Sequence, residues 1–361
     1  MKIGILGCGQ AGSRIALALS SITSEATLIV GEPVQVSCVF DPASRFFVEF
    51  GARHDDDAEF FMEEFDALVV SPDPISLFDR VDVLFKQDKM PFIAALDKQT
   101  PVLMERPLGF KAGDGELFAE FTKLENSRVM AYQYRLPIAK FLDKYLPARI
   151  LIDASLNCGL TRKAWRQNHE DITLPVHFGD QFLSLIDRVA DSLKVESASY
   201  DIVSEGDVSF DTNWDIRLSS RNIAKIAMHL DQYTGVGEYR FRDDIVRAFG
   251  SNFSASISTS SFEVHLADGS IESYCYDLTT AAAENRPGIE RLMAFMVEME
   301  GYPASVETEG LSRAIYESVL DWYNSILGRP ALCSKSFDAM SVELAARSLY
   351  LSGEVIKQAG G

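Results

Sequence analysis

The residues whose spacing carries the most chemistry stand at the start of the chain. Gly7, Gly9 and Gly12 follow GxGxxG order, with Gln10 and Ala11 between the second and the third. Three glycines so placed make a phosphate cradle. Gly7 permits a tight turn, Gly9 lets the backbone approach a pyrophosphate with no Cβ in the way, and Gly12 lets a helix pack closely on the preceding strand. The free N–H groups at the start of that helix then face the phosphates. Asp41 ends the next apolar run, where an acid accepts hydrogen bonds from the adenosine ribose hydroxyls and favours NAD. Arg45 could instead meet a ribose phosphate, which leaves NADP open, and Asp41-Pro42 would also serve as a turn initiator. Ser71-Pro72 closes a third apolar run, and a loop at the carboxyl end of a parallel strand would line the same crevice.

Other reactive side chains have plainer readings. The run Arg53-His-Asp-Asp-Asp-Ala-Glu59 brings no carboxylates face to face on a regular element, so it reads as a solvated face, and no metal site is expected. Cys8, Cys38, Cys158, Cys275 and Cys333 are odd in number, far apart and without CxxC spacing. Neither a disulfide framework nor a zinc site follows from them. Arg162, Lys163, Arg166 and His169 surround Trp165 in an otherwise acidic chain. They would suit a carboxylate or phosphate substrate, or else form a solvated basic loop.

Positioning these groups requires strands alternating with helices. Apolar runs at residues 3–6, 34–40, 67–71, 102–105 and 129–134 read as strands, with helical patterns after Gly12 and over 75–89. That alternation predicts a doubly wound parallel sheet. From about Pro137 the pattern changes. Residues 148–156 read as a strand, and segments at 195–203, 214–218, 223–230, 238–242, 254–257, 262–266 and 271–276 then predict an antiparallel meander, with His229 and His265 as satisfied sheet residues. Helical periodicity returns over 289–299, 307–327 and 337–357. The expected organisation is α/β: a dinucleotide-binding Rossmann domain over 1–136, then an α+β substrate and oligomerisation domain with a large, mostly antiparallel open sheet over 137–361. The last helices are expected to pack back on the first domain or on the covered face of the sheet.

The stretch Ala95-Leu-Asp-Lys-Gln-Thr-Pro-Val-Leu-Met-Glu-Arg-Pro107, taken with the N-terminal glycines, resembles the glucose-fructose oxidoreductase / inositol dehydrogenase (Gfo/Idh/MocA) family. Ser71-Pro72, Arg135-Leu-Pro137 and Tyr302-Pro-Ala-Ser-Val-Glu-Thr-Glu-Gly310 resemble further landmarks of that family. The resemblance implies that Glu105 and Pro107 shape the nicotinamide side, and that Arg135, Trp165 and Arg166 border the substrate. It also exposes departures. Arg106 stands where the family has the Lys of Glu-Lys-Pro. The family's DxGxH motif is best matched by His177-Phe-Gly-Asp-Gln181, with His177 at the Asp position and Gln181 at the His position.

These changes alter what the site can do. An arginine can stabilise an oxyanion, clamp a carboxylate or form a structural ion pair, but it does not shuttle protons. Gln181 can only hydrogen-bond. His177 could still serve as general acid or base, or merely cap and pack the helix start. Ser184 and Arg188 extend the polar stripe, and Phe178, Phe182, Leu185, Ile186 and Val189 form the apolar one.

The expected function is an NAD(P)-dependent oxidoreductase moving a hydride to or from a polar, neutral or anionic, sugar-like or hydroxy-acid substrate. The alternatives are a degenerate dinucleotide-binding sensor or scaffold, and a lyase or hydrolase that uses bound NAD transiently. Thirty-four Lys and Arg against 53 Asp and Glu give a formal charge of −19 with no basic patch, which argues against nucleic-acid and anionic-membrane partners. The first strand begins at once, without a leader pattern, and no apolar run would span a bilayer, so a cytoplasmic homo-oligomer joined through the second sheet is expected.

Overall fold

The computed structural model of the chain describes residues 1–6, 10–30, 35–39, 52–54, 65–71, 100–106, 128–130, 132, 136–145, 151–158, 173–205, 208–232, 243–258, 260–275, 286–329 and 342–360. The strands β1 (Lys2–Leu6), β2 (Gln35–Val39), β3 (Ala52–His54), β4 (Ala67–Val70), β5 (Val102–Met104) and β6 (Arg128–Val129) form a parallel sheet in the order β3-β2-β1-β4-β5-β6. Strand order reverses at β1, the switch point beyond whose carboxyl end open α/β sheets hold their ligands. β4 and β5 are buried along their whole length because both faces of the sheet are covered. Alternation then sends Leu68, Val70, Val102 and Met104 into one core, and Ala67, Val69 and Leu103 into another.

The described helices are α1 (Gln10–Val30), α2 (Pro137–Tyr145), α3 (Asp180–Asp187), α4 (Arg286–Glu300), α5 (Val306–Ile326) and α6 (Val342–Gln358). α1 covers the second core with Ile15, Leu19 and Ile22, spaced to fall on one face. α4 and α5 lie against α1 and complete that layer. Ser305 caps α5 by accepting from the Thr308 N–H, and Gly328, at φ 65°, ends its last turn. α4 approaches α5 so closely at Gly288 that a Cβ there would come 2.4 Å from Cε2 of Tyr316.

The second sheet contains β7 (Leu151–Cys158), β8 (Lys194–Glu205), β9 (Val208–Ser219), β10 (Lys225–Gln232), β11 (Asp243–Phe249), β12 (Phe253–Ile257), β13 (Ser261–Leu266) and β14 (Ile271–Cys275). Their order is β14-β13-β12-β11-β7-β10-β9-β8. One face is apolar and covered: Trp214, Ile216 and Leu218 of β9 are buried, while Asn213, Asp215 and Arg217 between them are exposed. α2 lies against β12 and β13, and α6 against β8 and α3.

The simple meander needs correction. β7 sits between β11 and β10 and runs parallel to β10, so two antiparallel sets flank one parallel pair. A parallel neighbour requires a crossover connection, and α3 lies on the path that separates β7 from β10 in the chain. The strand expected over 129–134 is shorter, pairing only at Arg128–Val129 among the described residues, and Tyr132 belongs to a 3₁₀ turn. β3, α2 and β11 were not anticipated. The expected helix over 75–89 and strand over 238–242 lie outside the described residues. His229 and His265 are satisfied sheet residues, paired with Asp215 at 3.0 Å and Glu263 at 2.5 Å.

Candidate functional site

The carboxyl end of β5 and the residues after β6 meet the start of α3, and the β4 end lies beside that of β5. The β4 end contributes Ser71, whose hydroxyl oxygen is buried and has no hydrogen-bond partner among the described residues. A buried orphan hydroxyl is costly unless something meets it. It lies at the crevice beside β1, where a dinucleotide would run. α1 begins at Gln10, directly after Gly9 in the sequence, with Gly12 buried and Ala11 half-buried in its first turn. This arrangement fits a dinucleotide: α1's free N–H groups and the Ser71 hydroxyl supply donors where its phosphates and sugars would lie.

The β5 end brings Glu105 and Arg106. The Glu105 N–H donates to the Val70 carbonyl, which extends the β4–β5 ladder into the crevice. Arg106 is only 9% exposed. Its guanidinium donates to Asp180 Oδ2 at 2.6 Å, to the Asp180 carbonyl at 2.9 Å and to Ser184 Oγ at 3.0 Å. Ser184 in turn donates to the Gln181 carbonyl at 2.8 Å. The structural ion pair weighed for Arg106 is thus what the structure contains. Its described hydrogen bonds fasten α3 to the end of β5.

The β6 end brings Tyr132, half-buried, whose hydroxyl donates to Gln181 Oε1 at 3.2 Å. Its ring packs against both cores. On the other side lies Arg14 of α1, which donates from Nε to the two oxygens of Glu300 at 2.9 and 3.0 Å and from its terminal nitrogen to Tyr302 at 3.3 Å. Burial works against the Arg14 charge, but Glu300, Tyr302 and Tyr132 more than offset it and raise its pKa.

A π-helical turn, Pro175–Gly179, leads into α3. Such turns concentrate at functional sites. Two contacts hold it: Ser352 of α6 donates to the Pro175 carbonyl at 3.1 Å, and Gly179 leaves no room for a Cβ, which would lie 2.8 Å from Leu230 Cδ1. Asp211 accepts from the Leu174 N–H at the head of this segment and from Trp214 Nε1, both at 2.6 Å.

Of the residues singled out by sequence, the structure brings together Ser71, Glu105, Arg106, Gln181 and Ser184, with Ala11 and Gly12 at the head of α1. Gln10 opens α1, and its side chain lies outside the described set. The backbone of His177 is in the π turn, and its side chain is likewise outside that set. Gly7, Gly9, Asp41, Pro72, Pro107, Arg135, Trp165 and Arg166 also lie outside the described residues. Asp180 and Tyr132 were missed. An acid beside the family's histidine position was the one available signal for Asp180. Tyr132 gave none, because the run around it read as strand. Among the described residues, no group of three or more His, Cys, Asp or Glu could hold a metal ion, and no helix is long and apolar enough to cross a membrane.

No protein-family model matches this sequence, and no curated protein matches it. Solved structures do. A levoglucosan dehydrogenase in complex with NADH and levoglucosan superposes with a TM-score of 0.66 at 13% identity, over 100% of this chain and 97% of that one. An oxidoreductase from Agrobacterium radiobacter, in complex with NAD+, L-tartaric acid and magnesium, gives 0.65 at 14%, over 100% and 96%. A Gfo/Idh/MocA family oxidoreductase from Vibrio cholerae gives 0.56 at 12%, over 99% and 97%. The likeness is one of fold, along the whole length of the chain.

Proposed function

We propose that this chain, which has the fold of the Gfo/Idh/MocA oxidoreductases, works as one of them: an NAD(P)-dependent oxidoreductase acting on a polar, sugar-like or hydroxy-acid substrate. The observation that carries this reading is the fastening of the start of α3 to the carboxyl edge of the parallel sheet, through Arg106 to Asp180 and Tyr132 to Gln181, beside the orphan hydroxyl of Ser71. Solved structures of the same fold hold NAD+ or NADH with a small hydroxylated molecule. Residues 1–136 then bind the dinucleotide, and 137–361 the substrate.

A bound nicotinamide supplies or takes up the hydride. The chain's own residues do the rest. Gly7, Gly9, Gln10, Ala11 and Gly12 present backbone to the pyrophosphate, Asp41 accepts from the ribose, and Ser71, Pro72, Glu105 and Pro107 line the crevice. Arg106 holds α3 in place through Asp180, so that the Gln181 amide is presented at the reacting end. Arg135, Trp165 and Arg166 bind the substrate, and the basic residues around Trp165 favour an anionic one.

NADH titration followed by nicotinamide fluorescence tests the reading, with saturable binding expected. Asp41→Ala should cut the preference for NAD over NADP about tenfold, the loss of one charge-assisted hydrogen bond at roughly 1.5 kcal/mol. Absence of binding to both NADH and NADPH would sink the reading. The locked Arg106 favours a second reading, a binding-only sensor, which predicts tight NADH binding and no turnover of any polyol or hydroxy acid. Transient reduction of bound NAD with product formation would instead indicate a lyase or hydrolase.

The protein is further proposed to form a homo-oligomer through the second sheet. Leu151 and Phe249, paired across β7 and β11 and each 44% exposed, support this, as does Ile271, 58% exposed. Phe249→Asp should lower the mass seen by sedimentation.

A further inference from the structure

We propose that Tyr132 supplies the proton to the reacting oxygen of the substrate, with Gln181 holding its hydroxyl at the carboxyl edge of the parallel sheet. The inference rests on the oxidoreductase reading above and assigns to Tyr132 the step for which the sequence offered His177.

A proton donor at this site needs a transferable proton, a place at the strand ends and a partner that holds its oxygen there. Arg106 holds its protons and spends its described hydrogen bonds on Asp180 and Ser184. Gln181 does not ionise. An ionised Glu105 only accepts. Tyr132 meets all three requirements: it follows β6, neighbours the β5 end that carries Arg106, and has its hydroxyl 3.2 Å from Gln181 Oε1. Gln181 Oε1 accepts from Tyr132 and so holds the phenol oxygen at the strand ends, and rotation about the Cζ–Oη bond turns that single proton from Gln181 to the substrate oxygen.

The surroundings support the loss of that proton. Arg14 on α1 is within electrostatic reach of Tyr132, and a guanidinium favours a tyrosinate. Glu300 and Tyr302 share Arg14, and Asp180, the neighbour of Gln181, is paired with Arg106, so among the described residues both arginines at this end of the sheet carry carboxylate partners. In the step, the Tyr132 O–H bond breaks as an O–H bond to the substrate's carbonyl oxygen forms, and the electron pair stays on Tyr132 Oη. The hydride that completes the reduction comes from the reduced nicotinamide dinucleotide, and solvent reprotonates the tyrosinate. In the oxidative direction the same oxygen takes the proton back.

Two measurements on the full chain test this. The first is an ultraviolet tyrosinate titration of the NAD+-saturated protein. Subtracting the Tyr132→Phe curve should isolate one tyrosine that ionises apart from the rest, and Gln181→Leu should move that titration. A Tyr132 curve that coincides with the bulk tyrosines and ignores Gln181→Leu overturns the proposal. The second is turnover of polyols and hydroxy acids with NAD+. Tyr132→Phe should lower kcat about 100-fold or more while NADH affinity stays within about twofold, and His177→Ala should leave the pH profile of kcat in place. Undiminished kcat in Tyr132→Phe overturns the tyrosine's role and leaves the oxidoreductase reading standing. A wild type that binds NADH but turns over nothing overturns that reading, and the proton role with it.

Discussion

Arg106 and Asp180 form an ion pair with side chains only 2% and 3% exposed. Such a pair contributes little net stability while intact but costs much when half of it is removed. Asp180→Asn should therefore lose about 3–5 kcal/mol in urea denaturation. Arg106→Lys, which keeps the charge but reaches fewer partners, should lose about 1–2 kcal/mol. Equal losses would mean that the pair is not what holds α3. A second buried acid behaves differently. Burial pushes the Asp187 carboxyl up from its ordinary value, and Arg347, 2.6 Å away but poorly aligned, offsets this only in part. The native state then keeps a proton that the unfolded chain has already lost, so this group's contribution falls as pH rises from the ordinary carboxylate range through the raised value. Asp187→Asn should gain Tm relative to wild type between about pH 4 and neutrality. A Tm difference that does not change with pH would contradict this.

At the scale of elements, what could be read from the sequence was what periodicity encodes. β1, β4 and β5 are short apolar runs covered on both faces, and the apolar stripe of α3, with Phe182, Leu185 and Ile186 buried, was visible in the spacing. β11 was hidden because residues 243–249 mix charge and apolar character, and its pairing with β7 is set by partners far away in sequence. The π turn was equally hidden. It depends on Ser352 of α6 and on contact with Leu230, and neither leaves a mark on residues 175–179. Of the site, the sequence singled out the ends of β4 and β5, but not that Asp180 would claim Arg106 or that Tyr132 would reach Gln181. Both are tertiary contacts between elements more than 45 residues apart, with separations of 74 and 49. Packing as close as that of α4 on α5 makes its own prediction. Gly288→Ala would drive a methyl into the fully buried Tyr316 ring, at a cost of about 1–3 kcal/mol in chemical denaturation. A neutral result would show that the two helices can separate freely.

At the scale of the whole molecule, the ion pair between Arg14 and Glu300 joins residues 286 positions apart. The apolar face of α1 rests on α4 and α5, which end only at Ile326. Order of synthesis therefore matters. The first strands and α1 leave the ribosome long before the helices that cover them, and Ile15, Leu19 and Ile22 must wait uncovered, each worth roughly 1.5–3 kcal/mol when buried. A fragment ending at residue 136 should lack a cooperative thermal transition and bind a hydrophobic dye, and adding residues 286–361 in trans should suppress the dye signal. A cooperative transition in the fragment alone would refute this. The nascent N-terminal half thus keeps an apolar helix face open to a holding chaperone long after its own synthesis, and it is covered only when the last fifth of the chain arrives.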